Sequence, residues 1–207
     1  FSEDPSSFKV PCVIVTTSAE NWSMEELSSV SVDDEKAGET IVDYLIDHGH
    51  TKIAEIGANL ELSQTAILRH NGYLNSLKKH GITPDERYYE RARFSYDSAY
   101  HAMKKLLEKD IEITAVYAIS DVMAIGAIRA ILDKGLRVPE DISITGFDGS
   151  TLAEYYNPKI VSIRQPHKDM AARSVELLFN MIDLHKGSCH EIIPFELTEG
   201  ESVARID

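Results

Sequence analysis

The stretch Ala115 to Asp148, AVYAISDVMAIGAIRAILDKGLRVPEDISITGFD, decides the architecture. Its first residues extend a β-branched and aromatic run, Ile113 to Ile119, that reads as a buried strand. A helix over 121–134 follows, with Met123, Ala124, Ala127, Ile128, Ile131 and Leu132 as its apolar positions and Gly135 as its stop. A second strand, 142–147, then runs into Gly146, Phe147, Asp148 and Gly149. Strand, helix and strand in this order make one crossover unit of a parallel sheet. The second strand delivers a carboxylate to its own carboxyl end, with glycines on either side to let the chain turn.

The same alternation runs along the chain. Strands are expected at 10–15, 29–32, 52–57, 87–93, 113–119, 142–147, 160–164 and 191–197. Helices are expected at 34–48, 65–80, 96–109, 121–134 and 167–186, with a polar stretch at Asn21 to Glu26. Asp34 is placed to cap the first helix, and Pro194 demotes the last strand to an edge or a bulge. In parallel sheets, ligands gather beyond the carboxyl ends of the strands. Ser63, Thr65, Arg69, Phe94, Ser120, Asp121, Asp148 and Gln165 all follow strands in this way. One guanidinium, one acid, an amide, hydroxyls and an aromatic face suit a small polyhydroxylated or amide-bearing ligand. Each has a plainer reading: Asp121 as a helix cap, Asp148 as a turn residue, Arg69 as an ion-pair partner, Phe94 as core.

Composition bounds the function. Lys and Arg total 21 against 34 Asp and Glu, a net charge of −13. So acidic a chain is a poor match for nucleic acid or an anionic membrane. No apolar run reaches the length of a membrane-spanning helix, and Cys12 and Cys189 imply no disulfide framework, so a reducing, cytoplasmic setting is expected. The chain carries no nucleophile elbow, phosphate-binding loop or dinucleotide fingerprint, and no metal-ligand spacing. Neither catalysis nor a cofactor is expected.

The segments DYLIDHGHTKIAEIG (43–57), LRHNGY (68–73), 115–148 and NPKIVSIRQP (157–166) together resemble the effector-binding core of the lactose-repressor/galactose-repressor family. That resemblance implies an α/β, periplasmic-binding-protein-like fold of type I, with two doubly wound parallel-sheet lobes and an effector cleft between them. It implies an N-lobe from 1–49 and about 165–190, and a C-lobe from 50–163 and about 191–207. It also implies a helix-turn-helix DNA-binding domain preceding this chain, operator binding through that domain, a homodimer, and a small sugar or related metabolite as effector. By position, Arg69 matches the effector-contacting arginine of R-x-x-G-[FYW], with Ser63 and Thr65 just before it. Phe94 matches the stacking aromatic, Asp148 the acid after G-[FY], and Gln165 the polar residue after the crossing strand. Two positions depart from the pattern: Ser120 stands where Asn is usual before D-x-M-A, and Gly200 where Arg is usual. The Gly200 change is expected to act on local packing. A transport-type solute-binding protein and an α/β enzyme acting on a sugar or nucleotide are the alternative readings.

Overall fold

The structure, a computed structural model, describes residues 10–19, 27–184 and 187–206. In chain order the elements are β1 (Cys12–Val15), β2 (Leu27–Ser31), α1 (Asp34–Asp47), β3 (Ile53–Gly57), α2 (Gln64–Lys79), β4 (Tyr89–Arg91), α3 (Tyr96–Glu108) and β5 (Ala115–Ala118). They continue as α4 (Asp121–Asp133), β6 (Ser143–Asp148), α5 (Thr151–Tyr155), β7 (Val161–Arg164), α6 (His167–Asp183), β8 (His190–Ile192) and β9 (Glu196–Thr198). The polar stretch expected at Asn21 to Glu26 and the last two residues of the helix expected to 186 lie outside the described residues.

Two compact units result. The first takes the described residues up to Asp33 and those from Gln165 to Phe195; the second runs from Asp34 to Arg164 and resumes at Glu196. The expected divisions were at 49/50 and about 190/191. The difference at the first comes from α1, which packs against α2 at two glycines. A Cβ on Gly38 would meet the backbone of Arg69, and one on Gly72 the backbone of Glu35 and Glu39. The difference at the second comes from Pro194, because the expected strand 191–197 is two strands. β8 pairs with β2 in the first unit, and β9 pairs antiparallel with β7 in the second. A proline has no N–H for a ladder, so the chain changes sheets there.

The first unit is a parallel sheet of order β1-β2-β8 with α6 against β1 and β2. Its central strand, LSSVS, is wholly buried, and two of its three serines have specific partners. Ser28 Oγ accepts from Cys189 N at 3.0 Å, and Ser29 Oγ accepts from Ala19 N at 3.1 Å and meets His190 Nδ1 at 2.9 Å.

The second unit has a six-stranded sheet of order β4-β3-β5-β6-β7-β9, parallel except for β9. From β3 the chain crosses to β4 on one side, then returns past β3 to β5. Right-handed crossovers in opposite directions place α2 on one face, with α1, and α3 and α4 on the other. The interior is filled by Ile41, Leu45, Ile56, Met103, Leu106, Tyr117, Ile119, Met123, Ile128, Ile131 and Phe147. Gly200 packs on the backbone of Lys159 to Val161, where a Cβ has no room.

One buried ion pair ties α2 to β3. His70 Nδ1 lies 2.6 Å from Oε2 of Glu55, whose other oxygen is buried without a partner. Burial pushes the Glu55 carboxyl up, and the hydrogen bond that the His70 ring donates to Glu55 pushes the imidazole up. Both groups therefore hold their protons more tightly folded than unfolded, so both shifts favour the folded state at low pH and lose that contribution as pH rises. The melting temperature is expected to fall as pH rises from about 6.5, the unperturbed histidine value, and to fall less steeply in Glu55→Gln. Thermal unfolding of the two proteins between pH 6 and 9 measures this; equal slopes would contradict it.

Candidate functional site

The strand order β4-β3-β5-β6-β7 reverses direction between β3 and β5. At such a point the crossovers diverge and leave a crevice at the carboxyl ends of the two strands. Arg69 reaches this point from α2. Its Nε donates to Asp34 Oδ1 at 2.7 Å, and its Nη1 donates to the carbonyl of Ile119, just past β5, at 2.6 Å. The guanidinium carbon sits 3.5 Å from the centre of the Phe147 ring. Arg69 is 3% exposed. Burying a guanidinium costs several kcal/mol unless it is paired and hydrogen-bonded, and here a carboxylate, a carbonyl and an aromatic face compensate. Nη2 is left without a hydrogen bond to any described residue.

Asp148 ends β6 and places Oδ1 3.6 Å from Arg69 Nη1, with 31% of its side chain exposed. The flanking glycines were expected to take the turn. Instead Asp148 itself has φ 116°, and only Gly149, at φ 65°, shares the left-handed region. Gly146 serves a different need, since a Cβ there would strike the carboxylate of Asp121.

That carboxylate is wholly internal. Asp121 is 1% exposed. Its Oδ1 accepts from Ser162 Oγ and its Oδ2 from Ser150 N, both at 2.6 Å. Burial pushes its pKa up, and the two serines oppose the shift. Asp121 thus links α4, the loop after β6, and β7, and holds the turn that presents Asp148. The cap of α4 is Ser120, whose side chain accepts from Met123 N at 3.3 Å. Ser120 is buried, so the residue that departs from the usual Asn has a helix to close.

Ser63 caps α2 by accepting from Ala66 N at 3.2 Å, and Thr65 lies in the first turn of that helix. Phe94 is 49% exposed, so the core reading fails for it. Ser63 and Phe94 line one cavity of about 490 Å³ together with Asn59, Arg91, Arg93 and Ser98. Of the expected residues, then, Arg69 and Asp148 are brought together, Ser63 and Phe94 are brought together, and Ser120 and Asp121 support α4 and the turn. Gln165 is buried and belongs to the other unit.

Sequence reasoning missed Asp34, because an acid at a helix start reads as a cap. It missed Arg91 and Arg93 because they sit in a three-residue edge strand and the turn after it.

Comparison with known proteins settles the family. Residues 42–203 match the model of the periplasmic binding protein-like domain. The chain belongs to that family. Within it, the chain corresponds to the effector-binding core of LacI-type transcriptional regulators. It is 38% identical over 199 residues to the HTH-type transcriptional regulator MalR of Clostridium butyricum, an alignment covering 96% of this chain and 59% of that protein. The chain thus spans little more than half the length of that relative. Among solved structures it is similar to the regulator CelR in complex with cellobiose, at TM-score 0.84 and 27% identity over 93% of this chain and 65% of that one. It is also similar to a LacI family regulator of Enterococcus faecium with bound ribose, at TM-score 0.84 and 26% identity over 95% of this chain and 72% of that one. These relatives are regulators rather than enzymes.

The positive φ of Asp148 is backbone strain that a glycine would not carry, and such strain costs about 1–3 kcal/mol. Its ion pair with Arg69 is part-exposed and contributes about 0–1 kcal/mol. Asp148→Gly is therefore expected to raise the unfolding free energy by about 1 kcal/mol in urea titration. A loss of stability would show that the carboxylate, and not the backbone, dominates there.

Proposed function

We propose that this chain is the effector-sensing part of a DNA-binding transcriptional repressor, and that its effector is a small sugar. The observation that carries the reading is the pairing of Arg69 with Asp148 at the point where the sheet reverses direction. Asp148 is part-exposed and accepts hydrogen bonds from ligand hydroxyls. The Nη2 group of Arg69 donates to a ring or hydroxyl oxygen, its direction held by Asp34, Ile119 and Phe147. The open ring of Phe94 covers the apolar C–H face of a sugar. Ser63 and Thr65 add hydroxyls at the start of α2. For Gln165 the assignment rests on the resemblance alone. The two solved relatives whose ligands are cellobiose and ribose support the ligand class.

Operator DNA is read through a domain outside this chain, consistent with the net charge of −13 here. The effector changes operator affinity only as far as it prefers one of two conformations, since equal affinity for both shifts nothing. The protein acts as a homodimer. Tyr96 on α3, Leu132 on α4, and Leu152 and Tyr155 on α5 leave large apolar side chains exposed on neighbouring elements.

A thermal-shift series with ribose, xylose, glucose, galactose, maltose and cellobiose, and with the phosphate esters of these sugars, tests the reading. A sugar at 100 times its dissociation constant adds about 2.7 kcal/mol of stability. At least one is expected to raise the melting temperature of the wild type and to lose that effect in Asp148→Asn, which keeps the shape and tolerates the positive φ. Light scattering on the same sample is expected to give a dimer mass. A folded chain that answers to none of these sugars, or a stabilising sugar indifferent to Asp148→Asn, would contradict the proposal.

A further inference from the structure

The cavity beside Phe94 has a charge that a neutral sugar does not need. Arg91 ends β4 and Arg93 follows two residues later, in the turn after it. Both line the cavity of about 490 Å³, a volume in the range of small-ligand sites. No carboxylate lines it. Neither guanidinium makes a hydrogen bond or an ion pair with any described residue, whereas the neighbouring Glu90 is held by Lys109 at 2.9 Å. In a chain carrying 34 acidic side chains against 21 basic ones, two unpaired arginines in one hollow are a local reversal of sign.

Other donors point the same way. Asn59 uses its Oδ1 to accept from Glu61 N at 3.1 Å, which leaves its amide N–H groups for a ligand. Ser63 and Ser98 lie in or at the first turns of α2 and α3, helices of 16 and 13 residues, so the amino ends of two helix dipoles add positive potential. Two guanidiniums, an amide donor and two helix amino ends match a doubly charged tetrahedral oxyanion better than a singly charged planar carboxylate.

We propose that the effector is a phosphate monoester, with its phosphoryl group held by Arg91 and Arg93 and its sugar ring against Phe94. This rests on the sugar-sensing reading above and narrows its ligand class. The arginines bind the charge and Asp148 selects the hydroxyls, so the two can be tested apart.

The direct probe is inorganic phosphate, titrated into the protein at constant ionic strength while the arginine Nε–H resonances are followed by NMR, with acetate and chloride as the other arms. Arg91→Gln and Arg93→Gln assign the two signals. Both are expected to shift saturably with phosphate and not with acetate or chloride. Each single substitution is expected to weaken the response of the remaining arginine by roughly tenfold, since one of two charges on a dianion is lost. Shifts no larger with phosphate than with chloride, or equal shifts with acetate, would overturn the inference. If that happened while a neutral sugar still bound in an Asp148-dependent way, the sugar-sensing reading would stand without it. If phosphate shifted both arginines while sugar binding ignored Asp148, the earlier reading would fail and the anion site would remain.

Discussion

The buried guanidinium of Arg69 is the constraint on which the rest of the second unit depends. It cannot be left dry and unpaired, so every element near it is positioned to answer it. α1 brings Asp34, the end of β5 brings the Ile119 carbonyl, and β6 brings both the Phe147 ring and Asp148. The contact is made possible by the glycines where α1 crosses α2, since a side chain at either would push the helices apart. Asp34 is the fully buried partner of that guanidinium, and removing it would cost about 3–5 kcal/mol, which makes the arrangement stiff as well as specific. In the proposed site this stiffness would aim the remaining donor before a ligand arrives.

Around this floor the chain accepts two local costs. Asp148 occupies a backbone region that favours glycine, and Asp121 is a carboxylate with almost no access to water. The second supports the first: Asp121 grips Ser150 and Ser162 on either side of the turn, and Gly146 leaves the space it needs. Strain of this kind persists where the surrounding structure over-determines it, commonly at ligand sites. The residue that presents a carboxylate and the residue that holds the presenting turn are therefore different acids, although both follow strands in the same sheet.

Much of this was legible in the sequence. The β5-α4-β6 crossover, the strand-end position of Asp148 and the R-x-x-G-[FYW] signature at Arg69 all follow from periodicity and motif. What stayed hidden were long-range partners. Asp34 looks like a cap because its true partner is 35 residues away. Asp121 looks like a cap or a ligand contact, while Ser120 beside it does the capping. Pro194 signalled a disturbed strand, yet nothing local says that its two halves serve different sheets. The short helix α5 has five residues, too few for a periodic pattern to emerge.

In the proposed function, the Arg69–Asp148 pair is where the effector is recognised. A crystal structure of the chain with whichever sugar or sugar phosphate raises its melting temperature tests this most directly. Ligand oxygens are expected within hydrogen-bond distance of Arg69 Nη2 and the Asp148 carboxylate, with the Asp34 and Ile119 contacts of Arg69 unchanged. A ligand seated elsewhere, with Arg69 and Asp148 facing only water, would contradict it.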